Sequence, residues 1–302
     1  QILTAAVQVD GLAQMGAAHG AALDVPARTA HAVGAFPGRL AGLGGLPDCE
    51  IGGVLLQVVV HLAAQTMVPT SVEDPVLDCQ INLEGVLHIL ESCRRHGVPH
   101  VLFSSSAAVY GDNLNIPLQE TEVLAPTSPY GITKMTTEHY LRVYHELYGM
   151  DATVFRFANV YGERQGEKGE GGVVSIFCKL LSQGKGITVF GDGKQTRDFV
   201  YAGDIARAIV QALDLKGYHT INVSTGQETS INDLIHSFEQ AVGHKIDVTY
   251  TAPRTGDILR SVLSNGNLVN ELGIEPEMDL PAGIKRTYEW YCGSDSDAAA
   301  PR

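Results

Sequence analysis

From Val58 onward the chain alternates between short apolar runs and longer stretches in which apolar residues recur every three or four positions. The short runs at 58–60, 98–103 and 151–157 fit buried strands. The periodic stretches at 77–96 and 128–149 fit amphipathic helices, the first closed by Gly97. Strand and helix signals in alternation predict an α/β fold built on a doubly wound parallel sheet. After Gly162 the spacing is less regular, with strands expected at 187–190, 198–201 and 221–223 and helices at 173–182, 202–213, 231–242 and 281–291. The expected organisation is a first α/β domain over 58–162, a smaller α/β lobe over 163–292, and a small, acidic, disordered tail over 293–302.

Residues 1–57 break the pattern. Gln1-Ile2-Leu3-Thr4 opens like a first strand, but no close glycine cluster follows. A sheet that holds a dinucleotide needs a glycine-rich turn there, so that the backbone can approach the pyrophosphate at a helix N-terminus. Gly11, Gly16, Gly20, Gly34, Gly38 and Gly42 have the wrong spacings, and the segment contains no Lys, Ser, Asn, Tyr or Trp although the remainder uses all five. Three explanations stand: out-of-frame translation from about Thr4 to about Leu56, which we favour; a divergent working loop; and a pseudoenzyme. Asp24 is a candidate for the acidic residue that takes the adenosine ribose hydroxyls, with an ordinary turn aspartate as the alternative.

The chemistry-bearing residues lie mid-chain. Ser104-Ser105-Ser106 follow the apolar run at 98–103, where open parallel sheets place their ligands. Tyr130 and Lys134, four residues apart in Ser128-Pro129-Tyr130-Gly131-Ile132-Thr133-Lys134, share one helix face. A phenol titrates near ~10, so a fixed ammonium beside it is expected to lower that value and make Tyr130 a general base near neutral pH. A lone pair of this kind also arises by chance on exposed helices; the serines upstream set this one apart.

Taken together, these residues make the chain similar to the extended short-chain dehydrogenases/reductases, in the UDP-glucose 4-epimerase branch of the nucleotide-sugar epimerase/dehydratase family. The resemblance runs from about Val58 to Tyr291. It is carried further by His61-Leu62-Ala63-Ala64-Gln65, by Asn82 and Gly85, by Arg156-Phe157-Ala158-Asn159-Val160-Tyr161-Gly162, by Val189-Phe190-Gly191-Asp192-Gly193, by Arg197-Asp198-Phe199-Val200-Tyr201 and by Arg254-Thr255-Gly256-Asp257-Ile258. The resemblance implies a Rossmann-type sheet, NAD as cofactor and a nucleotide sugar as substrate. It assigns catalysis to Ser106, Tyr130 and Lys134. It assigns cofactor binding to Leu62, Ala63, Ala64, Gln65, Asn82, Ser104, Tyr130, Lys134 and Phe157, and substrate binding to Ser106, Asn159, Val173, Val189, Phe190, Arg197, Arg254, Asp257 and Ser261. It also implies a homodimer formed by the helices at 77–96 and 133–149. The arginines could instead serve surface ion pairs, and Asn159 could cap a turn.

Composition narrows the reading. The net charge of -13 argues against nucleic acid as a partner, so an anionic sugar nucleotide must be met by local cations such as Arg197 and Arg254. Five scattered cysteines without metal-ligand spacing suit free thiols in a cytoplasmic enzyme with no metal site. No stretch is long and apolar enough to span a bilayer, which argues against a membrane partner. Family members that remove water or carbon dioxide carry acidic residues just after the catalytic Ser/Thr, whereas this chain has Ala107 and Ala108. Expected is therefore 4-epimerisation of a UDP-hexose through a 4-keto intermediate. A uronate epimerase, a ketosugar reductase and a catalytically dead nucleotide-sugar-binding relic are the alternatives.

Overall fold

The computed structural model describes residues 2–5, 31–32, 50–51, 54–165, 172–253 and 258–298. The chain divides into two compact units. One comprises Gln1–Gly111, Leu124–Arg156 and Gln211–Ile221, and the other comprises Asp112–Val123, Phe157–Val210 and Asn222–Arg302. This corrects the expected boundary between 162 and 163. The reason is long-range pairing that local periodicity does not register. The strand Tyr218–Val223 joins the edge of the first unit's sheet, and Leu118 bridges to Leu263 in the second unit.

The first unit carries a six-stranded sheet in the order Tyr218–Val223, Asp151–Phe157, His100–Ser106, Val58–His61, Ile2–Ala5, His31–Ala32. Val58–His61 runs parallel to both Ile2–Ala5 and His100–Ser106, with Ala5 and Phe103 as the partners of His61. The opening strand expected from Ile2-Leu3-Thr4 therefore lies in the sheet. All four residues of Val58–His61 are buried, and so are the first six of His100–Ser106, as strands covered on both faces require. Two helices cover this sheet with narrow stripes: Val86, Leu90 and Cys93 from Gly85–Arg95, and Leu141 and Tyr144 from Pro129–Tyr148. Spacings of three and four residues put each set on one face.

The helix expected at 77–96 is in fact three pieces: Pro75–Cys79, a wide π turn over Gln80–Glu84, and Gly85–Arg95. Such turns cluster at functional sites, and this one carries Asn82. The helix expected at 128–149 is found at Pro129–Tyr148. Ser128 Oγ accepts from Gly131 N–H at 3.1 Å, and Gly149 closes the helix in the left-handed region at φ 68°.

The second unit is built from strand pairs: Asn159–Tyr161 parallel to Phe199–Tyr201, Ile187–Phe190 parallel to Val248–Thr251, and Thr196–Arg197 antiparallel to Thr229–Ser230. The helices Val173–Ser182, Ile231–Val242 and Leu280–Ala298 enclose a core that includes Phe177, Cys178, Leu234, Phe238, Ile284 and Tyr291. The last helix runs to Ala298, which corrects the expectation of a disordered tail from 293. Ala, Asp and Ser at 294–298 are tolerated in a helix that is already nucleated. Among the described residues no helix is long and apolar enough to cross a membrane, and no group of His, Cys, Asp or Glu could hold a metal ion.

Candidate active site

The strand His100–Ser106 delivers three serines to its C-terminal end. Ser104 and Ser105 are buried and Ser106 is half-buried. Ser106 Oγ accepts from Ala108 N–H at 3.2 Å and so caps the short turn Ala107–Tyr110. That turn sets the position of the next helix. A Cβ on Gly131 would lie 2.7 Å from the Ala108 carbonyl oxygen and 2.8 Å from Pro126 Cβ, so only glycine lets the helix start come this close. The close approach brings Tyr130 to Ser106, with which its hydroxyl shares a hydrogen bond.

One turn along the same face, Lys134 is buried. Its Nζ donates to the Ser104 carbonyl oxygen at 2.7 Å and sits 4.8 Å from the Phe103 ring centre and 5.8 Å from that of Tyr130. The structure thus joins Ser104, Ser106, Tyr130 and Lys134 in one cluster. It corrects the expected electrostatics. Burial pushes the Tyr130 phenol up to about 12, against the Ser106 hydrogen bond that favours ionisation, and it pushes Lys134 down to about 7. Desolvation of each group outweighs any lowering of the phenol by the nearby ammonium.

The loop after Val58–His61 is fastened by the π turn. Gln65 N–H donates to Asn82 Oδ1 at 2.8 Å, and Asn82 Nδ2 returns a bond to the Gln65 carbonyl oxygen at 2.8 Å. Beneath them Asp78, fully buried, accepts from Gln65 Nε2 at 2.7 Å, Asn82 Nδ2 at 2.9 Å and Thr133 Oγ1 at 2.9 Å. Gln65 and Asn82 therefore spend their side chains on holding the loop, while Leu62 and Ala63 remain half-buried and Ala64 is buried. His61 stacks on Phe103, neither of its ring nitrogens has a partner, and burial holds its pKa down at about 4. A second buried network lies under the serines. Arg156 donates to Glu138 Oε2 at 2.6 Å and to the Tyr110 hydroxyl at 2.9 Å, and Ser105 donates to Glu138.

Within the second unit, Asn159 is exposed and its N–H donates to the Asp198 carbonyl oxygen at 2.8 Å. Arg197 is half-buried and donates to the Thr196 and Ile258 carbonyl oxygens at 2.8 and 2.7 Å, so it ties its strand to the segment that leads to the half-buried Ser261. Val173 opens its helix half-buried. Val189 is buried and pairs with Tyr250, Phe190 is 36% exposed, and Phe157 is buried at the end of its strand. Asp24, Arg254 and Asp257 lie outside the described residues.

A family model described as NAD dependent epimerase/dehydratase matches residues 53–224, more than half of the chain. The chain belongs to that family. A putative UDP-glucose 4-epimerase of Methanocaldococcus jannaschii is 43% identical over 236 residues, which are 78% of this chain and 77% of that protein. Among solved structures, the Thermotoga maritima UDP-glucose 4-epimerase with UDP-glucose aligns at TM-score 0.76 and 39% identity, covering 79% of this chain and 78% of that one. A UDP-N-acetylglucosamine 4-epimerase from Methanobrevibacter ruminantium, in complex with UDP-N-acetylmuramic acid, aligns at TM-score 0.76 and 36% identity over 79% of this chain and 77% of that one. The chain is accordingly a nucleotide-sugar epimerase by family, with a parallel α/β sheet and a family that depends on NAD.

The described residues fit the nicotinamide end of such a cofactor. Lys134 has three N–H donors and a single carbonyl acceptor, and His61 presents two unpartnered nitrogens at the carboxyl edge of the sheet. The pyrophosphate end depends on a glycine-rich turn directly after the opening strand, where the sequence has Ala5-Ala6-Val7-Gln8-Val9-Asp10-Gly11. Asp78, Glu138 and His61 were not singled out in the sequence as site residues. The signal was present: Asp78 and Asn82 continue the buried stripe of Val86 and Leu90 backward, and Glu138 continues that of Tyr130 and Lys134 forward. A charged residue in phase with a buried face marks an internal network.

Proposed function

We propose that the parent reaction is reversible 4-epimerisation of a UDP-hexose. The observation that carries this reading is the hydrogen-bonded Ser106–Tyr130 pair with Lys134 behind it and only alanines at 107 and 108. NAD, held beside Tyr130 and Lys134, would supply the hydride acceptor and donor for the sugar C4. Tyr130 removes the proton of the 4-hydroxyl and later gives it back, Ser106 orients that oxygen, and Lys134 supports the ionised phenol. Ala107 and Ala108 offer no further acid or base, which favours simple oxidation and reduction over loss of water. Asn159, Arg197, Arg254 and Asp257 would hold the nucleotide, with Val173, Val189 and Phe190 beside it; Asp24 would take the adenosine ribose only if residues 1–57 form a divergent working loop. A version of the chain with a working cofactor turn should interconvert UDP-glucose and UDP-galactose without added reductant. Stoichiometric consumption of NADPH would instead indicate a ketosugar reductase, and UDP binding without turnover a relic.

Ser261 would stand beside the sugar C2 substituent. A serine leaves room for an acetamido group, and the similarity to a UDP-N-acetylglucosamine 4-epimerase supports this choice. Ser261→Tyr should lose turnover of UDP-GlcNAc while keeping that of UDP-glucose. In a chain with a working cofactor turn, equal loss of both, or turnover of UDP-glucose without turnover of UDP-GlcNAc before the substitution, would defeat the assignment.

For assembly we propose a cytoplasmic two-fold dimer through the helices Gly85–Arg95 and Pro129–Tyr148. Val143, Leu147 and Tyr148 are 38%, 66% and 51% exposed, which leaves an apolar strip on the second helix. Leu141 of the same helix is fully buried in its own core and takes no part in that strip. Light scattering at micromolar concentration should report the dimer mass, and a monomer would refute the interface.

A further inference from the structure

Four charged side chains lie in the buried layer around the ends of the strands: Asp78, Lys134, Glu138 and Arg156, none more than 5% exposed. Glu138 and Arg156 satisfy each other. The guanidinium donates to both carboxylate oxygens, through Nε at 3.1 and 3.2 Å and a terminal nitrogen at 2.6 Å. Asp78 and Lys134 remain, and they do not touch. Every side-chain donor on Asp78 is neutral, from Gln65, Asn82 and Thr133, while the side-chain hydrogen bond of Lys134 goes to the Ser104 carbonyl oxygen. Two opposite charges left over in one dry layer stabilise each other without contact, because the low local dielectric carries their attraction further than water would.

We propose that Asp78 is the remote counter-ion of Lys134, a positioning residue that keeps the ammonium charged while leaving its spare N–H bonds free for the site. The geometry that separates them is specific. The single Thr133 hydroxyl proton is shared between Asp78 Oδ2 at 2.9 Å and the Tyr130 carbonyl oxygen at 3.0 Å, so the carboxylate is fastened to the helix turn that carries the catalytic pair. A direct ion pair would have occupied the ammonium. Burial lowers the Lys134 pKa to about 7, and the Asp78 charge is the larger of two that raise it, ahead of Glu138. The other titratable groups facing Lys134 are Tyr130 on its own helix and His61 on the neighbouring strand, and His61, held down at about 4, is neutral through this range.

The inference takes from the proposed function only that Lys134 serves the reaction. Its test reads the charge of Lys134 rather than turnover, so either idea can fail alone. The ¹³Cε signal of Lys134, assigned by its loss in Lys134→Ala, is titrated by NMR in the full chain. Asp78→Asn keeps the shape and removes the charge, and it should lower the Lys134 midpoint by about one unit or more. Asp78→Glu should return it toward the starting value. An unchanged midpoint in Asp78→Asn, or no recovery in Asp78→Glu, overturns the proposal. Should neither variant fold, the ¹³Cγ signal of Asp78 in the unmutated chain decides. A carboxylate signal throughout the Lys134 titration supports the counter-ion role, and a carboxylic acid signal at neutral pH overturns it.

Discussion

Tyr130→Phe is expected to lower epimerase turnover by about 10² to 10⁴, the range for loss of a positioned acid/base. Phenylalanine fills the same buried space, and the Ser106 hydroxyl that loses its partner is half-exposed and can turn to water, so fold and thermal stability should barely change. The pH profile adds a second signature. With Tyr130 pushed up to about 12 and Lys134 down to about 7, the pair holds one proton over the range between them. The form with ionised phenol and charged ammonium is a constant fraction of that population. Below about 7 both groups carry protons and the reactive fraction falls tenfold per pH unit, so turnover should decline on the acid side and level off above it. Near-normal turnover in Tyr130→Phe, or activity that stays flat down to about pH 5, would take Tyr130 out of the reaction. The measurement requires a chain with a working cofactor turn.

What could be read from sequence was whatever repeats locally. The helix Pro129–Tyr148 announces its ends through Ser128, Pro129 and Gly149, and both boundaries were found. Strands buried on both faces, such as Val58–His61, show as plain apolar runs. The Tyr130–Lys134 spacing is itself helical geometry, so their shared face was legible as well. The sign of the electrostatics was not. Four-residue spacing places an ammonium near a phenol, but burial decides which form is favoured, and that burial is assembled from Phe103 on a distant strand and from the packing of the helix face. The π turn at Gln80–Glu84 was hidden because one extra residue in a helix leaves the periodicity almost unchanged over so short a stretch. The lobe boundary was hidden for a different reason. Leu118 and the strand from Tyr218 pair with residues far away in sequence, and no local pattern reports where an edge strand returns.

Replacing residues 1–57 with an in-frame strand and glycine-rich turn is expected to tighten NAD binding by about 10² to 10⁴. The estimate follows from the missing contacts. Two backbone N–H groups that reach a pyrophosphate contribute roughly 1.5–3 kcal/mol each, which sums to about 3–6 kcal/mol and converts to that ratio of dissociation constants. The rest of the site argues that the parent protein made such contacts. His61 sits beside Ala5 at the carboxyl edge of the sheet with both ring nitrogens unpartnered, and Gln65, Asp78 and Asn82 are fully engaged in holding the loop next to it. A loop kept in place by four hydrogen bonds among these three residues is costly to maintain if nothing docks against it. By contrast, the run from Ala5 to Gly11 offers alanine, valine and glutamine where close backbone approach calls for glycine. Calorimetric titration of NAD into both chains, together with the nucleotide content of each as purified, measures the difference. Tight, stoichiometric NAD in the present chain would show that residues 1–57 form a divergent but working cofactor loop, and the out-of-frame reading would then fall.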